Sequence, residues 1–206
     1  MRCEKCPDLC ASRSRIVQPD FPAQNRCRIM VIGEAPGADE DQNGKGFMGR
    51  AGRTLHALLQ AHGFYRGEHY GCANVVRCRP LANRKPTQRE INNCLPYLAQ
   101  TIREAQPEAI LTVGETPIRT ITGVAGLTHN IQALQTHHLD PINAGMMNLP
   151  ALKAVWPRNT ILVPIPHTSP LAWNRNAPDG RKWREVGEEQ IRVLASAINK
   201  GRKCKT

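Results

Sequence analysis

A chain of 206 residues, 40% hydrophobic and 22% charged, has the size and composition of one globular domain with its own core, which excludes a disordered or fibrous protein. Its 28 lysines and arginines against 17 acids leave a net charge of +11, a surplus that favours a polyanion such as DNA or RNA as partner. Apolar runs such as Ile161–Ile165 are far too short to cross a bilayer, and the opening Met1–Cys6 has no signal-type apolar stretch. An intracellular chain with no membrane partner is therefore expected. In a reducing compartment its eight cysteines point to a metal or cluster more than to disulfides.

In chain order, two cysteine-rich turns lead into a loop with Pro19 and Pro22. Arg28–Gly33 reads as a short buried strand, followed by a Gly/Pro/acid loop from Glu34 to Gly52. Leu55, Leu58 and Leu59 share one face of a helix predicted over Arg53–His62. Tyr70–Val76 is a second strand and Cys78–Pro86 a basic, proline-punctuated loop. Thr87-Gln88-Arg89-Glu90 is a capping box, so a helix begins there and runs to about Ala105. A strand over Ala109–Val113, a helix over Glu115–Thr122, a strand over Thr160–Ile165 and a helix over Trp183–Asn199 complete the pattern. Val124–Arg158 shows no clear periodicity, and the basic tail 200–206 is expected to fray. The fold class expected is α/β: one three-layer domain with a central four-stranded parallel sheet flanked by helices. Sites in such sheets form where loops leave the carboxyl ends of the strands, here after Gly33, Val76 and Ile165.

The residues of these loops carry chemistry. Gly33-Glu34-Ala35-Pro36-Gly37-Ala38-Asp39-Glu40-Asp41 lets a ligand approach the backbone and supplies acids able to position water or a metal. In Gly46-Phe47-Met48-Gly49-Arg50-Ala51-Gly52 an aromatic between glycines can stack on a flat ring. Cys3-x-x-Cys6 supplies soft thiolates that suit either zinc or an iron–sulfur cluster. Asn74 ends a strand in Ala73-Asn74-Val75-Val76-Arg77-Cys78-Arg79-Pro80, and His167-Thr168-Ser169-Pro170-Leu171 follows another. No G-x-x-x-x-G-K-[ST] occurs, which sets aside a P-loop nucleotide-binding protein.

Together these motifs resemble the family 4 uracil-DNA glycosylases, over roughly residues 3–122 and 160–175. The resemblance implies DNA repair: hydrolysis of the N-glycosidic bond of uracil to leave an abasic site. It implies a [4Fe–4S] cluster on Cys3, Cys6, Cys78 and Cys94, clamping the N-terminus to the Arg77–Arg84 loop. Cys10 is near enough in sequence to compete as a ligand, whereas Cys27 and Cys72 read as buried structural thiols and Cys204 has no role. Glu34 and His167 are the implied catalytic residues, Glu34 orienting water or supporting the sugar cation and His167 donating to O2 of the leaving base. Phe47 stacks on the base, Gly33 and Gly37 line its site, and Glu40 crowds its C5 side. The Asn74 amide offers a donor and an acceptor in one plane, matching the O4/N3–H edge of uracil and not the reversed pattern of cytosine. Leu171 is the implied wedge into the gap left by an extruded base. Ser169, Pro170, Arg175, Arg79 and Arg84 are DNA-contact candidates, with Arg77 and Lys85 in the same basic cluster.

Two departures from the pattern stand out. Thr168 replaces a usual proline, so a loosened catalytic loop is expected. Val124–Arg158 is longer than the family's short loop and is expected to be an insertion. The substrate expected is DNA containing uracil or a modified pyrimidine, acted on by a monomer in the cytoplasm at the nucleoid. A glycosylase for a 5-substituted uracil, or a non-hydrolytic DNA-binding member that traps the abasic product, are the alternatives.

Overall fold

The computed structural model describes residues 3–23, 26–147 and 149–203. Of the expected tail 200–206, residues 204–206, Cys204 among them, lie outside the described residues, and 200–203 belong to the last helix. Four strands, β1 (Ile29–Gly33), β2 (Tyr70–Asn74), β3 (Ala109–Val113) and β4 (Ile161–Ile165), form one parallel sheet in the order β2-β1-β3-β4. Every residue of β1, β2 and β3 is buried, and in β4 all but Ile161. Successive side chains point to opposite faces, so burial of both parities means that helices cover the sheet on both sides. The run of apolar residues in each strand is the sequence signature of that burial.

Nine helices appear among the described residues: α1 (Pro7–Ser12), α2 (Ala38–Asn43), α3 (Arg50–Gln60), α4 (Gln88–Ala105), α5 (Glu115–Thr122), α6 (Leu127–Thr136), α7 (Pro150–Lys153), α8 (Pro170–Trp173) and α9 (Trp183–Lys203). The predicted capping box opens α4: the Thr87 hydroxyl accepts from Glu90 N–H at 3.2 Å, and the Glu90 carboxylate accepts from Thr87 N–H at 2.7 Å. Residues 124–158, unreadable as sequence, contain α6 and α7 and bury Leu134, Leu152 and Trp156 in the main core. The predicted last helix continues past Asn199 to Lys203.

Register aligns Gly33 with Asn74 and Val113 with Ile165, so the loops after all four strands leave from one carboxyl edge. The two lateral edges of the sheet are occupied. Along β2, Asp20 N–H donates to Cys72 O at 3.0 Å, and the Asp20 carboxylate accepts from Cys72 N–H at 2.6 Å. Along β4, Leu162 N–H donates outward to Leu139 O at 2.8 Å, and the next residue of that parity is Pro164, which has no N–H.

Candidate active site

A cleft of about 730 Å³ opens on the carboxyl edge. Each strand contributes to it: Gly33 and Glu34 from the end of β1, Asn74 from β2, Val113 from β3, His167 from the loop after β4. The loops add Gly37, Glu40, Phe47, Arg84, Ser169 and Leu171, so ten of the side chains and glycines singled out from the sequence share one cavity wall. Pro170, Arg175 and Arg79 are not in that wall, whereas Pro80, Asn83, Lys85 and Arg50 are.

Gly33 is the floor between the Phe47 ring and the Asn74 amide. A β-carbon there would collide with the Asn74 amide oxygen and would stand 2.7 Å from Cζ of the Phe47 ring. Only a glycine lets ring and amide close over the strand end. Asn74 is 9% exposed, and among the described residues its side-chain amide has no protein hydrogen-bond partner. The amide faces the cleft, so its donor and acceptor are open to a group that enters there.

Phe47 is a non-glycine residue in the left-handed region, φ 58°, and α3 holds it there. Its carbonyl lies against Gly52, where any side chain would collide with it. It also accepts a 3.0 Å bond from Nε2 of His56. A carbonyl only accepts, so this shorter contact favours the proton on Nε2 over acceptance there from Arg66 Nη1 at 3.2 Å, and leaves Nδ1 to accept from the Tyr70 hydroxyl at 2.7 Å. Burial and the adjacent Arg66 guanidinium lower the His56 pKa, favouring this neutral form. Arg66 in turn is paired with Asp20 and donates to Gly46 O at 2.7 Å. Sequence reading missed His56, because its role arises from a contact nine residues back along the chain.

Across the cleft, Nδ1 of His167 accepts from Ser169 N–H at 3.1 Å, which places the proton of the neutral ring on Nε2. The ring is reached by solvent through the cleft yet enclosed on its other sides. This desolvation lowers its pKa, opposed by the Glu34 carboxylate. Glu34 accepts a hydrogen bond from the Thr116 hydroxyl at the start of α5, a partner the sequence did not reveal. Thr168 is fully buried, and its hydroxyl donates to Ala51 O in α3 at 2.7 Å. In place of the loosened loop expected, a side-chain bond ties the His167 loop to the Phe47 side of the cleft.

Glu40 has a different environment from the one expected. Its carboxylate accepts from Gly37 N–H at 3.0 Å, Met48 N–H at 2.8 Å and Gly49 N–H at 2.9 Å. It lines the cleft as a staple between the two halves of the Glu34–Gly52 loop, capping α2 at Gly37.

The family model of the uracil DNA glycosylase superfamily matches residues 19–188, which include the whole sheet and every loop of the cleft. This chain belongs to the uracil-DNA glycosylase superfamily. It is 41% identical over 112 residues to a type-4 uracil-DNA glycosylase of Pyrobaculum aerophilum, covering 54% of this chain and 55% of that one. A type-4 uracil-DNA glycosylase of Thermotoga maritima is 38% identical over 117 residues, covering 57% and 59%. A type-5 uracil-DNA glycosylase of Pyrobaculum aerophilum is 27% identical over 155 residues, covering 62% and 68%. The chain spans about half the length of the type-4 relatives it matches.

Outside the cleft, this superfamily member gathers its N-terminal cysteines against the β2 loop and α4. Cys78 and Cys94 are buried, and Cys3, Cys6 and Cys10 are half-buried. Arg13 bridges the group, donating to Cys78 Sγ at 3.0 Å and to Cys3 O at 2.6 Å. Asn93 donates to Cys6 Sγ at 3.3 Å, and Cys10 Sγ to Cys3 O at 3.4 Å. Burial pushes the Cys94 thiol up to about 11, with Cys78, Cys6 and Cys3 adding to the rise through space. Among the described residues no three His, Cys, Asp or Glu side chains converge on a single-ion site.

The basic loop residues divide into two kinds. Arg77 is buried and bonded to Gln18, Tyr97 O and Thr101, so it is part of the scaffold. Arg84 forms a two-pronged pair with Glu90, at 2.9 and 2.7 Å, and this guanidinium holds the Glu90 carboxyl at about 2. Arg79 donates to the Asn83 side chain at 2.8 Å. Among the described residues no helix is long and apolar enough to cross a membrane.

Proposed function

We propose that this chain hydrolyses the N-glycosidic bond of uracil in DNA and leaves an abasic site. The observation that carries the reading is the unengaged Asn74 amide beside the Phe47 ring, over a glycine floor. A flat ring with adjacent donor and acceptor atoms is what such a slot takes, and a base reaches it only by leaving the duplex stack. Phe47 stacks on the base and Asn74 pairs with its O4/N3–H edge. Water oxygen bonds to C1′ of the sugar as the bond from C1′ to N1 breaks, the electron pair leaves with the base as an anion, and the proton shed by the water passes through solvent to that anion. His167 donates from Nε2 to O2 of the departing anion, and Glu34, held by Thr116, orients the water or supports the cation-like sugar. The names of the relatives favour uracil over a 5-substituted pyrimidine, and turnover over binding alone. The reading places the enzyme with the DNA, in the cytoplasm.

Cys3, Cys6, Cys78 and Cys94 would hold a [4Fe–4S] cluster. Soft thiolates gathered at one corner by Arg13, which reaches Cys78 Sγ and Cys3 O, by Asn93 at Cys6 Sγ and by Tyr97 at Cys3 Sγ, with Cys94 on α4 beside them, are a donor set that suits an iron–sulfur cluster. Bound there, the cluster supplies thiolate–iron bonds that clamp the N-terminal segment to the 78–85 loop, outside the cleft. Protein purified anaerobically is expected to be brown with about four irons per chain, and stoichiometric zinc without iron would overturn the assignment.

The deciding experiment incubates the pure protein with oligonucleotides carrying uracil, a thymine mismatch or a 5-substituted uracil, and measures free base and abasic sites. Release from the uracil strand alone is expected. Tight binding without release would install the non-hydrolytic alternative. DNA affinity should fall steeply with salt, since phosphate contacts release counterions.

A further inference from the structure

Two large apolar side chains stand far more exposed than any other among the described residues: Leu81 at 72% and Leu171 at 71%. Next is Tyr65 at 46%. A lone exposed leucine needs no explanation. These two have related positions. Leu171 follows β4 and Leu81 follows β2, the two outer strands, so they rise from opposite ends of the carboxyl edge. Both loops line the same cleft, one through Ser169 and Leu171, the other through Pro80, Asn83 and Lys85.

The turn that carries Leu81 is built and held. Leu81–Asn83 is a single 3-10 turn in which Ala82 (φ 53°) and Asn83 (φ 54°) are both left-handed, although neither is glycine. Consecutive residues of this kind persist only where neighbours fix them, and they concentrate at ligand-binding segments. Here Asn83 N–H donates to Pro80 O at 3.0 Å, and Arg84 N–H to Leu81 O at 3.1 Å. Arg79 holds the Asn83 side chain, and Ser12 of α1 donates to Arg79 O at 2.7 Å. The fold therefore stiffens this turn and leaves its one large apolar side chain in water.

We propose that Leu81 is a second inserting side chain, entering the base stack of duplex DNA at the end of the cleft opposite Leu171. The inference rests on the glycosylase reading for its ligand. An apolar wedge displaces stacking between base steps, and Lys85 beside it supplies a cation for the adjoining phosphates. Two wedges, one at each end of the cleft, pinch the stack around the nucleotide that must leave it. A single strand has no stack to open, so the contribution of Leu81 is specific to duplex.

The test compares Leu81→Ala, Leu81→Phe and wild type in single-turnover uracil release from duplex and single-stranded oligonucleotides. In parallel, 2-aminopurine fluorescence reports unstacking on a duplex carrying a non-hydrolysable uracil nucleotide flanked by the probe. Leu81→Ala is expected to lower the ratio of duplex to single-strand rates about 10-fold and to abolish most of the fluorescence rise, with Leu81→Phe restoring both. Equal losses on both strands, or an unchanged ratio and an unchanged 2-aminopurine signal, would overturn the proposal. If the wild type releases no uracil, the glycosylase reading fails, and the fluorescence arm still decides whether Leu81 enters the stack.

Discussion

The cleft and the cysteine-lined corner are built from similar residue types with opposite treatment of their polar groups. In the corner they are engaged within the chain: Arg13 with Cys78 and Cys3, Ser12 with Arg79, Asn93 with Cys6, Asp41 with the backbone of Ser14 and Arg15. In the cleft, among the described residues, the Asn74 amide and the His167 Nε2 proton have no partner in the chain, while Ser169 N–H holds the His167 ring and the Thr116 hydroxyl holds Glu34. A clamp stabilises by satisfying hydrogen bonds internally, whereas a binding site keeps a few of them for its ligand. Substitutions in the two regions should therefore fail differently, one through catalysis and the other through stability.

The largest expected effect sharpens that division. His167→Ala should slow single-turnover uracil release by roughly 100-fold or more, as loss of a donor aimed at developing charge does. Affinity for abasic DNA should hardly change, because the bond forms mainly in the transition state. Glu34→Gln should slow the same step. Wild-type rates in both variants would move the active site elsewhere.

In the corner, Arg13→Ala removes a bridge between Cys3 and Cys78 and should cost about 1.5–3 kcal/mol, since the hydrogen bonds are charge-assisted. Calorimetry should show the melting temperature falling by roughly 3–12 °C. A large loss of catalytic rate at unchanged melting temperature would break the comparison.

Thr168 lies between the two types, a buried group engaged internally but flanked in sequence by two residues of the cleft wall, His167 and Ser169. Thr168→Val keeps the shape and removes the bond to Ala51, at about 1 kcal/mol of stability, with a rate loss of a few-fold. Thr168→Ser should restore the rate. If Val and Ser behave alike, the hydroxyl does not position the His167 loop.

The smallest effect concerns pH. Burial and Arg66 depress the His56 pKa in the folded protein, so the unfolded chain binds the extra proton first. The stability this neutral histidine supports is present above the unfolded pKa, about 6.5, and is lost as pH falls towards the lower folded value. The melting temperature of the wild type should drop more between pH 7 and pH 5 than that of His56→Gln. Parallel slopes would mean that His56 carries no such linkage.

The strands were legible because each is a short apolar run bounded by loop residues, and α4 because Thr87 and Glu90 stand at capping distance. The cleft was legible wherever a motif follows a strand end, as at Gly33-Glu34, Asn74 and His167, which line one cavity. Residues that act through tertiary contact were not: Thr116 meets Glu34 across 82 positions, and Thr168 meets Ala51 across 117. Glu40 shows the intermediate case. Gly37-x-x-Glu40 has the spacing of a helix cap, and the carboxylate makes that contact while also lining the cleft. Residues 124–158 hid α6 and α7 because His129, His137, Gly145 and Pro150 break the apolar spacing, and burial there is decided by packing on β4 and α4.

The proline in β4 has a consequence for how copies of this chain meet one another. An open strand edge is a template on which another chain can add a strand, the first step towards fibrils. On β4 the outward N–H of Leu162 already donates to Leu139, and Pro164 has none to offer, while Asp20 occupies the rim of β2. Crowding or partial heating should therefore not convert the folded sheet into a growing ribbon. Replacing Pro164 by valine would restore the missing donor and expose one rung of that ladder.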